Sequence, residues 1–150
     1  MTLTPLQKAD KEDYFDKALG TPSAQKILRF LVCWEKLPYR DLIVKTGLSE
    51  SNVYATLKKL QQSGIVTSDV RGIYQLSEDE FTQTVKAAYS VFLKRLISQN
   101  LYEISKQIDL VSPEKITDQL LDLKATYKPF IDKYYSKKFS SLIGGLINSV

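Results

Sequence analysis

The fold is decided by residues 42–66, which read LIVKTGLSESNVYATLKKLQQSGIV. An apolar helical segment ends at Gly47, a residue type that adopts the left-handed conformation without strain. Ser49 is a good N-cap for a following helix, because its hydroxyl accepts hydrogen bonds from free backbone amides. The stretch therefore predicts two helices joined by a sharp turn.

The helix after this turn has one apolar face. Its apolar residues recur at steps of four and three, and they are Val53, Leu57 and Leu60. This spacing places them on one side of a helix, which predicts burial of that side and exposure of the opposite one. The helix is expected to run to about Ser63, and Gly64 to stop it.

Two further helices are predicted before the turn. Thr21-Pro22 is a cap followed by proline at the first helical position, and apolar residues follow it at helical spacing. Residues 39–46 form a short helix with Leu42 and Ile43 directed inward.

The periodicity changes after Gly64. Residues 65–67 are rich in β-branched side chains, and residues 73–76 are an apolar-rich run. Turn-forming Asp69 and Gly72 lie between them. The pattern predicts a two-stranded hairpin with a tight tip.

The chain becomes helical again from residue 77, and Ser77 is expected to cap the first helix. An apolar series in that helix recurs at steps of four and three: Phe81, Val85, Ala88, Phe92 and Leu96. Dimerisation and packing within the chain would each explain this series. Ser112-Pro113 and Lys128-Pro129 predict further helix boundaries.

These elements predict a mainly α-helical chain with a small β-hairpin, an α+β fold. Residues 1–20 are expected to form an N-terminal helical extension. Residues 21–76 form a compact domain. Residues 77–150 form a C-terminal helical region that is a candidate for dimerisation.

The central segment resembles the winged helix-turn-helix transcription regulators of the MarR, ArsR and TrmB type. Their pattern is an apolar helix, Gly-Leu-Ser, three variable residues, Val, Leu, Leu, Gly and a β-wing, and Gly-Leu-Ser stands here at 47–49. The resemblance covers about a third of the chain. It implies a winged fold that binds DNA and flanking helices that form a dimer. The same fold also serves as a protein-protein interaction module.

The exposed face of the second helix of this unit is the candidate DNA-binding face. With Val53 directed inward, small, polar and basic side chains point outward. They are Ser51, Ala55, Lys58 and Gln62, flanked by Asn52, Tyr54 and Lys59, with Ser49 at the helix start. Asparagine pairs with adenine, serine with several base edges, and lysine with phosphate or guanine. The alternative is a solvated face that lacks acids.

Two arginines outside this helix are further candidates. Arg71, at the hairpin tip, resembles the wing arginine that enters the minor groove in the family. Arg40, at the start of the preceding helix, is placed to bind a phosphate near a helix N-terminus. The alternatives are an ordinary exposed turn residue for Arg71, and a pair with Asp41 or Glu35 for Arg40.

Positive charge is concentrated in the central domain. The chain has a net charge of +4, and residues 23–76 contain eight Lys or Arg against four Asp or Glu. A second basic cluster lies near the C-terminus and consists of Tyr127, Lys128, Lys133, Tyr134, Tyr135, Lys137 and Lys138. It is a candidate for a second anionic contact surface. Half-buried tyrosines beside solvated lysines are the alternative.

Several classes of function are disfavoured. The chain has no histidine and one cysteine, Cys33, which excludes a Ser-His-Asp triad and a Cys2His2 zinc site. We expect no catalytic activity, no metal and no cofactor. No segment approaches the ~18 apolar residues of a membrane span, and no signal peptide is expected. A single cysteine, which excludes an internal disulfide, favours an intracellular, cytoplasmic protein. The predicted DNA binding would associate it with the chromosome.

The prediction is therefore a sequence-specific regulator of transcription that binds double-stranded DNA as a homodimer. Two recognition helices would lie ~34 Å apart on a pseudo-palindrome. The alternative is a winged-helix protein-protein interaction module in a larger complex. An effector ligand or a protein partner is left open.

Overall fold

The computed structural model describes residues 19–148, with side chains to residue 145. The N-terminal extension expected over residues 1–20 therefore lies almost wholly outside the described residues. The described part forms two compact units. The first comprises the described residues up to Leu31 together with Glu35–Thr84. The second comprises Val32–Trp34 and the described residues from Val85 onward.

The first unit contains the helices α1 (Pro22–Trp34), α2 (Tyr39–Thr46) and α3 (Glu50–Gln62). The last three residues of α1 belong to the second unit. The bounds predicted for α2 are confirmed, and Thr21 caps α1 by accepting a hydrogen bond from the Ala24 amide. Core side chains that are at most 2% exposed include Ile27, Leu28, Leu42, Val53, Leu57, Leu60 and Ile65. The predicted apolar face of α3 is thus its buried face.

The turn between α2 and α3 is held by backbone conformation and by one threonine. Gly47 has φ +69°, in the left-handed region, and its amide donates to the Ile43 carbonyl at 3.1 Å. The buried Thr46 hydroxyl donates to the Leu42 carbonyl at 2.5 Å and accepts from the Leu48 amide at 3.3 Å. The left-handed conformation expected of Gly47 is confirmed.

A sheet completes the first unit. Its strands among the described residues are β1 (Lys36–Pro38), β2 (Val66–Ser68) and β3 (Ile73–Leu76), all antiparallel in the order β1-β3-β2. The predicted hairpin is present as β2 and β3, but β1 makes it a three-stranded sheet.

Strand β1 escaped prediction for physical reasons. Three residues are too few to show the alternation of a strand, although Leu37 is buried between exposed neighbours. Pro38 has no backbone N–H to donate. It is tolerated because β1 is an edge strand, which has a neighbouring strand on one side only. The chain enters β1 through Glu35, a non-glycine residue at φ +66°.

Helix α4 (Glu80–Ser105) begins three residues after Ser77, so the prediction that Ser77 caps it is wrong. The carboxylate of Asp79 caps the helix instead, accepting from the Thr82 amide at 2.8 Å. The Ser77 amide donates to the Ile65 carbonyl at 2.8 Å, which ties it to the end of the hairpin.

The second unit contains most of α4 together with α5 (Pro113–Thr126), α6 (Lys128–Tyr134) and α7 (Ser136–Asn148). Helix α5 packs against α6 and α7. The predicted boundaries at Ser112-Pro113 and Lys128-Pro129 are confirmed. The buried apolar side chains of the second unit include Leu93, Ile97, Leu101, Ile116, Leu120, Ile131 and Phe139.

The apolar series predicted in α4 is not the packed face of that helix. Phe81 and Phe92 are 45% and 47% exposed, and Ala88 is exposed. Val85 and Leu96 are half-buried. The packed face is instead the one that carries Leu93, Ile97, Leu101 and Ile104. Among the described residues, the predicted series is therefore not the side of α4 that packs into the core.

The α+β fold class is confirmed, with helices predominating and a small antiparallel sheet. Over the described residues, no helix is both long enough and apolar enough to span a membrane.

Two glycine-to-alanine substitutions should have opposite effects on stability. A Cβ atom meets nothing within 4 Å at Gly47 or at Gly145, so only backbone conformation separates them. Gly47→Ala should lower the free energy of unfolding by about 1–2 kcal/mol, because the position is left-handed. Gly145→Ala, inside α7, should raise it by about 0.5–1 kcal/mol. Urea denaturation measures both changes. A Gly47→Ala variant as stable as the wild type would contradict the role given to this turn.

Candidate nucleic-acid interface

Helix α3 is fixed at its start and near its end. The Ser49 hydroxyl accepts from the Asn52 amide at 3.2 Å, which confirms the predicted N-cap. Near the other end, the Gln61 side-chain amide donates to the Ser68 hydroxyl in β2 at 3.0 Å. With its apolar face in the core, the helix has little freedom to rotate, so its outer face is presented in one orientation.

The predicted contact residues of α3 share an exposed surface. Exposed side chains are Ser51, Tyr54, Ala55, Lys58, Lys59 and Gln62, together with Ser49 at the cap. Residues 51–62 contain no Asp or Glu, and Glu50 stands alone at the helix start. The Ser49 and Ser51 hydroxyls lie 3.3 Å apart. The surface is therefore small, polar and basic.

Asn52 differs from its neighbours because a buried residue of the same helix holds its side chain in place. It is half-buried, and its Oδ1 accepts from the Thr56 hydroxyl at 3.1 Å. Thr56 is only 7% exposed. Since Oδ1 retains one lone pair and Nδ2 keeps both protons, Asn52 presents an acceptor and a donor together. Thr56 was not predicted from the sequence, although its spacing of four from Asn52 was the available signal.

Tyr39 is a second residue of the site that was not predicted from the sequence. Its hydroxyl donates to the Glu50 carbonyl at 3.2 Å, linking the start of α2 to the start of α3. Its ring lies 6.4 Å from the Tyr74 ring of β3, measured between centroids. Partial burial, followed by the Glu50 carboxylate, raises the pKa of Tyr39, so the hydroxyl keeps the proton that it donates.

The hairpin tip holds its arginine through an internal ion pair. Arg71 Nη2 and Nε lie 3.0 and 3.3 Å from Asp69 Oδ2. Asp69 Oδ1 also accepts from the amides of Arg71 and Ile73, at 2.8 and 3.1 Å. The Arg71 side chain nevertheless remains 75% exposed. It is engaged with Asp69 yet accessible to solvent.

Arg40 lies exposed in the first turn of α2, where no side chain caps the helix. Within the part of the chain that the structure describes, no ion pair joins Arg40 to Asp41 or to Glu35. The pairing considered as its alternative is therefore not observed there. In the same described part, no group of three His, Cys, Asp or Glu residues is arranged to hold a metal ion.

This architecture agrees with a known family. Residues 22–67 match the family described as winged helix-turn-helix DNA-binding. Residues 22–67 have the fold of a winged helix-turn-helix. In this winged domain α3 is the second helix of the helix-turn-helix, and β2 and β3 form the wing. The predicted resemblance is confirmed at this level. No curated protein matches the chain.

The ionisation of Asp69 should report how the wing is built. Hydrogen bonding from the Ile73 amide, and then from Arg71, lowers the pKa of Asp69 below its ordinary value of 3.8. A lowered pKa means that the stabilisation is present above the unfolded value and is lost as pH falls through the folded value. Arg71→Ala should raise the pKa of Asp69 but leave it below 3.8, because the Ile73 amide remains.

Carboxyl chemical shifts followed by NMR between about pH 2 and 6 would measure this change. Asp79 is the internal control, because hydrogen bonds from Thr82 lower its pKa independently of the wing. An Asp69 pKa that is unchanged in Arg71→Ala would show that the ion pair does not hold the wing arginine in solution.

Proposed function

We propose that this protein is a sequence-specific regulator of transcription that binds double-stranded DNA with α3 in the major groove. The observation that carries the proposal is the outer face of α3, which is exposed and lacks any carboxylate after Glu50. Surface helices ordinarily interleave acidic and basic residues, so an acid-free face is suited to a polyanion. The family match supports DNA as the partner.

We assign recognition of the DNA base sequence to residues in the middle of this face. Asn52 offers the donor and acceptor pair that matches the major-groove edge of adenine. Ala55 is small and exposed, which allows the helix backbone to approach the bases closely. Ser51, Tyr54 and Gln62 supply further groups for base edges or the sugar-phosphate backbone.

Phosphate contacts are assigned to the surrounding cations and amides. Lys58 and Lys59 are exposed on α3, while Arg40 lies at the start of α2. Ser49 sits at the N-terminus of α3, where the helix dipole favours a phosphate. Such contacts set the register on the duplex and make binding dependent on salt.

The wing has a more limited role. Arg71 is proposed to contact the minor groove or its phosphates. The Arg71 guanidinium group is paired with the Asp69 carboxylate in the free protein, so it must break this ion pair in order to contact the DNA.

A homodimer is part of the proposal. In the second unit, one side of α4 carries Val85, Ala88, Phe92 and Leu96, and this side is not the packed face. Phe92 is 47% exposed there. Burial of such a face between two copies would remove apolar surface from water. A homodimer would also supply the two α3 helices that a pseudo-palindromic site requires.

A protein-protein interaction module is the second candidate function. It is favoured by Val44 on α2 and Tyr54 on α3, which are 79% and 61% exposed. Large apolar side chains of this kind are suited to a protein partner, and the wing arginine is already paired. In either case the proposed protein acts by binding rather than by catalysis. An effector that alters binding is compatible with both.

The first test places a carboxylate on the acid-free face. Ala55→Asp should weaken binding by about 100-fold or more, since a like charge against the phosphates costs several kcal/mol. The position is exposed, so the free energy of unfolding should change by about 0.5 kcal/mol, with a small addition for helix propensity. Salt-titrated binding isotherms on duplexes selected from genomic fragments give the affinities.

Ala125→Asp is the matched control, because Ala125 is an exposed alanine on α5 and the change in net charge is the same. It should bind DNA nearly as the wild type does. If Ala55→Asp folds normally and binds like the control, α3 does not enter the groove, and the protein-interaction module becomes the better reading.

The second test concerns the oligomeric state. The 17.1 kDa chain should sediment as a dimer at micromolar concentration. Phe92→Glu should yield monomers, because a carboxylate would be buried in the proposed interface. Leu121→Glu is the control, since Leu121 on α5 is similarly exposed at 48%. A monomeric wild type, or a dimer that survives Phe92→Glu, would refute the proposed interface.

A further inference from the structure

A second basic region lies outside the winged domain. The net charge outside residues 23–76 is zero only because residues 1–22 and 77–84 carry net charges of −1 and −3, which offset this basic region. Residues 85–150 contain ten Lys or Arg against six Asp or Glu, an excess as large as that of the winged domain. The charge is unevenly placed within them. Between Glu80 and Glu103, α4 has only basic charges, and residues 128–138 hold four lysines against one aspartate.

These two basic segments meet around one aromatic ring. Lys94 Nζ lies 4.2 Å from the centroid of the Tyr134 ring, and Lys133 Nζ lies 5.3 Å from it. Tyr134 is 45% exposed, and both lysines are exposed. We call this arrangement of Lys94, Tyr134 and Lys133 the Lys-Tyr-Lys surface.

The surface is built on a fixed support. The Tyr135 hydroxyl donates to the Lys94 carbonyl at 2.9 Å and lies 3.0 Å from Ser98 Oγ, which joins α4 to the end of α6. The Tyr134 ring packs on buried Phe130, with 5.3 Å between ring centroids. The backbone of Lys94 and the ring beneath its ammonium group are therefore held in place.

In the part of the chain that the structure describes, Lys94 and Lys133 have no carboxylate partner. Asp132, the single acid of α6, is taken by Lys128 at 2.6 Å. Among the described residues, no carboxylate forms an ion pair with Lys94 or Lys133. Lys106 provides the contrast, because it lies 4.4 Å from the Tyr102 ring but also 3.9 Å from a Glu103 oxygen. Cation-ring contact alone does not distinguish the Lys-Tyr-Lys surface, whereas its uncompensated charge does.

We propose that the Lys-Tyr-Lys surface is a phosphate-binding surface, and that its occupant is the backbone of the DNA bound by the winged domain. The inference rests on the proposed function. Two ammonium groups beside one ring repel each other, and a polyanion offsets that repulsion. A duplex held by one part of the chain is present at high effective concentration for the rest of it. Contacts of this kind add affinity without reading sequence.

Lys94→Gln/Lys133→Gln is the variant that tests the surface. The substitutions keep most of each side-chain stem and remove both charges. Each phosphate contact contributes about 0.9 to the slope of log affinity against log salt, so the slope should become shallower by about 1.8. Between 50 and 200 mM salt the wild type should therefore lose about tenfold more affinity than the variant. The loss should be equal for specific and unrelated duplexes.

Lys106→Gln/Lys115→Gln is the matched control, because it removes the same charge from the residue that follows α4 and from α5, and Lys106 is already paired with Glu103. Its slope should stay close to that of the wild type. A Lys94→Gln/Lys133→Gln slope equal to the control slope would overturn the proposal and favour an acidic protein as the occupant. That result leaves the proposed function standing, whereas a wild type that does not bind duplex DNA removes both.

Discussion

The constraint on which the rest depends is the turn from α2 into α3. Gly47 reverses the chain in a conformation that costs other residues energy, and the Thr46 hydroxyl satisfies backbone groups on both sides of it. Ser49 then supplies the oxygen that the first turn of α3 lacks. Because these groups fix where α3 begins and in which direction it runs, they also fix which of its residues are buried.

The two faces of α3 therefore have to be considered together. Val53, Leu57 and Leu60 are at most 2% exposed, and this burial prevents the helix from turning about its axis. The outer face gains a defined orientation from the inner one. Thr56 extends the same effect to a single side chain, since a buried hydroxyl holds the amide of Asn52. Packing thus fixes the direction of polar groups that make no contribution to the core.

Prediction from sequence succeeded where the deciding interactions are local. The turn at Gly47, the cap at Ser49 and the hairpin each depend on residues within a few positions of one another, and all are present. It failed where partners are distant or ambiguous. Strand β1 exists only because β3 pairs with it, and α4 carries apolar residues on two faces, of which the sequence pattern indicated the exposed one. In the candidate site, helical periodicity was enough to predict which side chains of α3 are exposed. The ion pair between Arg71 and Asp69 could not be predicted in this way, because it depends on the backbone geometry of the hairpin tip.

That contact gives the wing an unusual energetic character in the proposed complex. An arginine free in water gains a partner when it meets a phosphate, but Arg71 already has one in Asp69. Its contribution to affinity is the difference between two ion pairs, and the released carboxylate is left near the DNA backbone. In the proposed complex, Arg71 would therefore contact DNA only where the shape of the groove makes its pair with phosphate more favourable than its pair with Asp69. Discrimination by shape, rather than added affinity, is what such an arginine supplies.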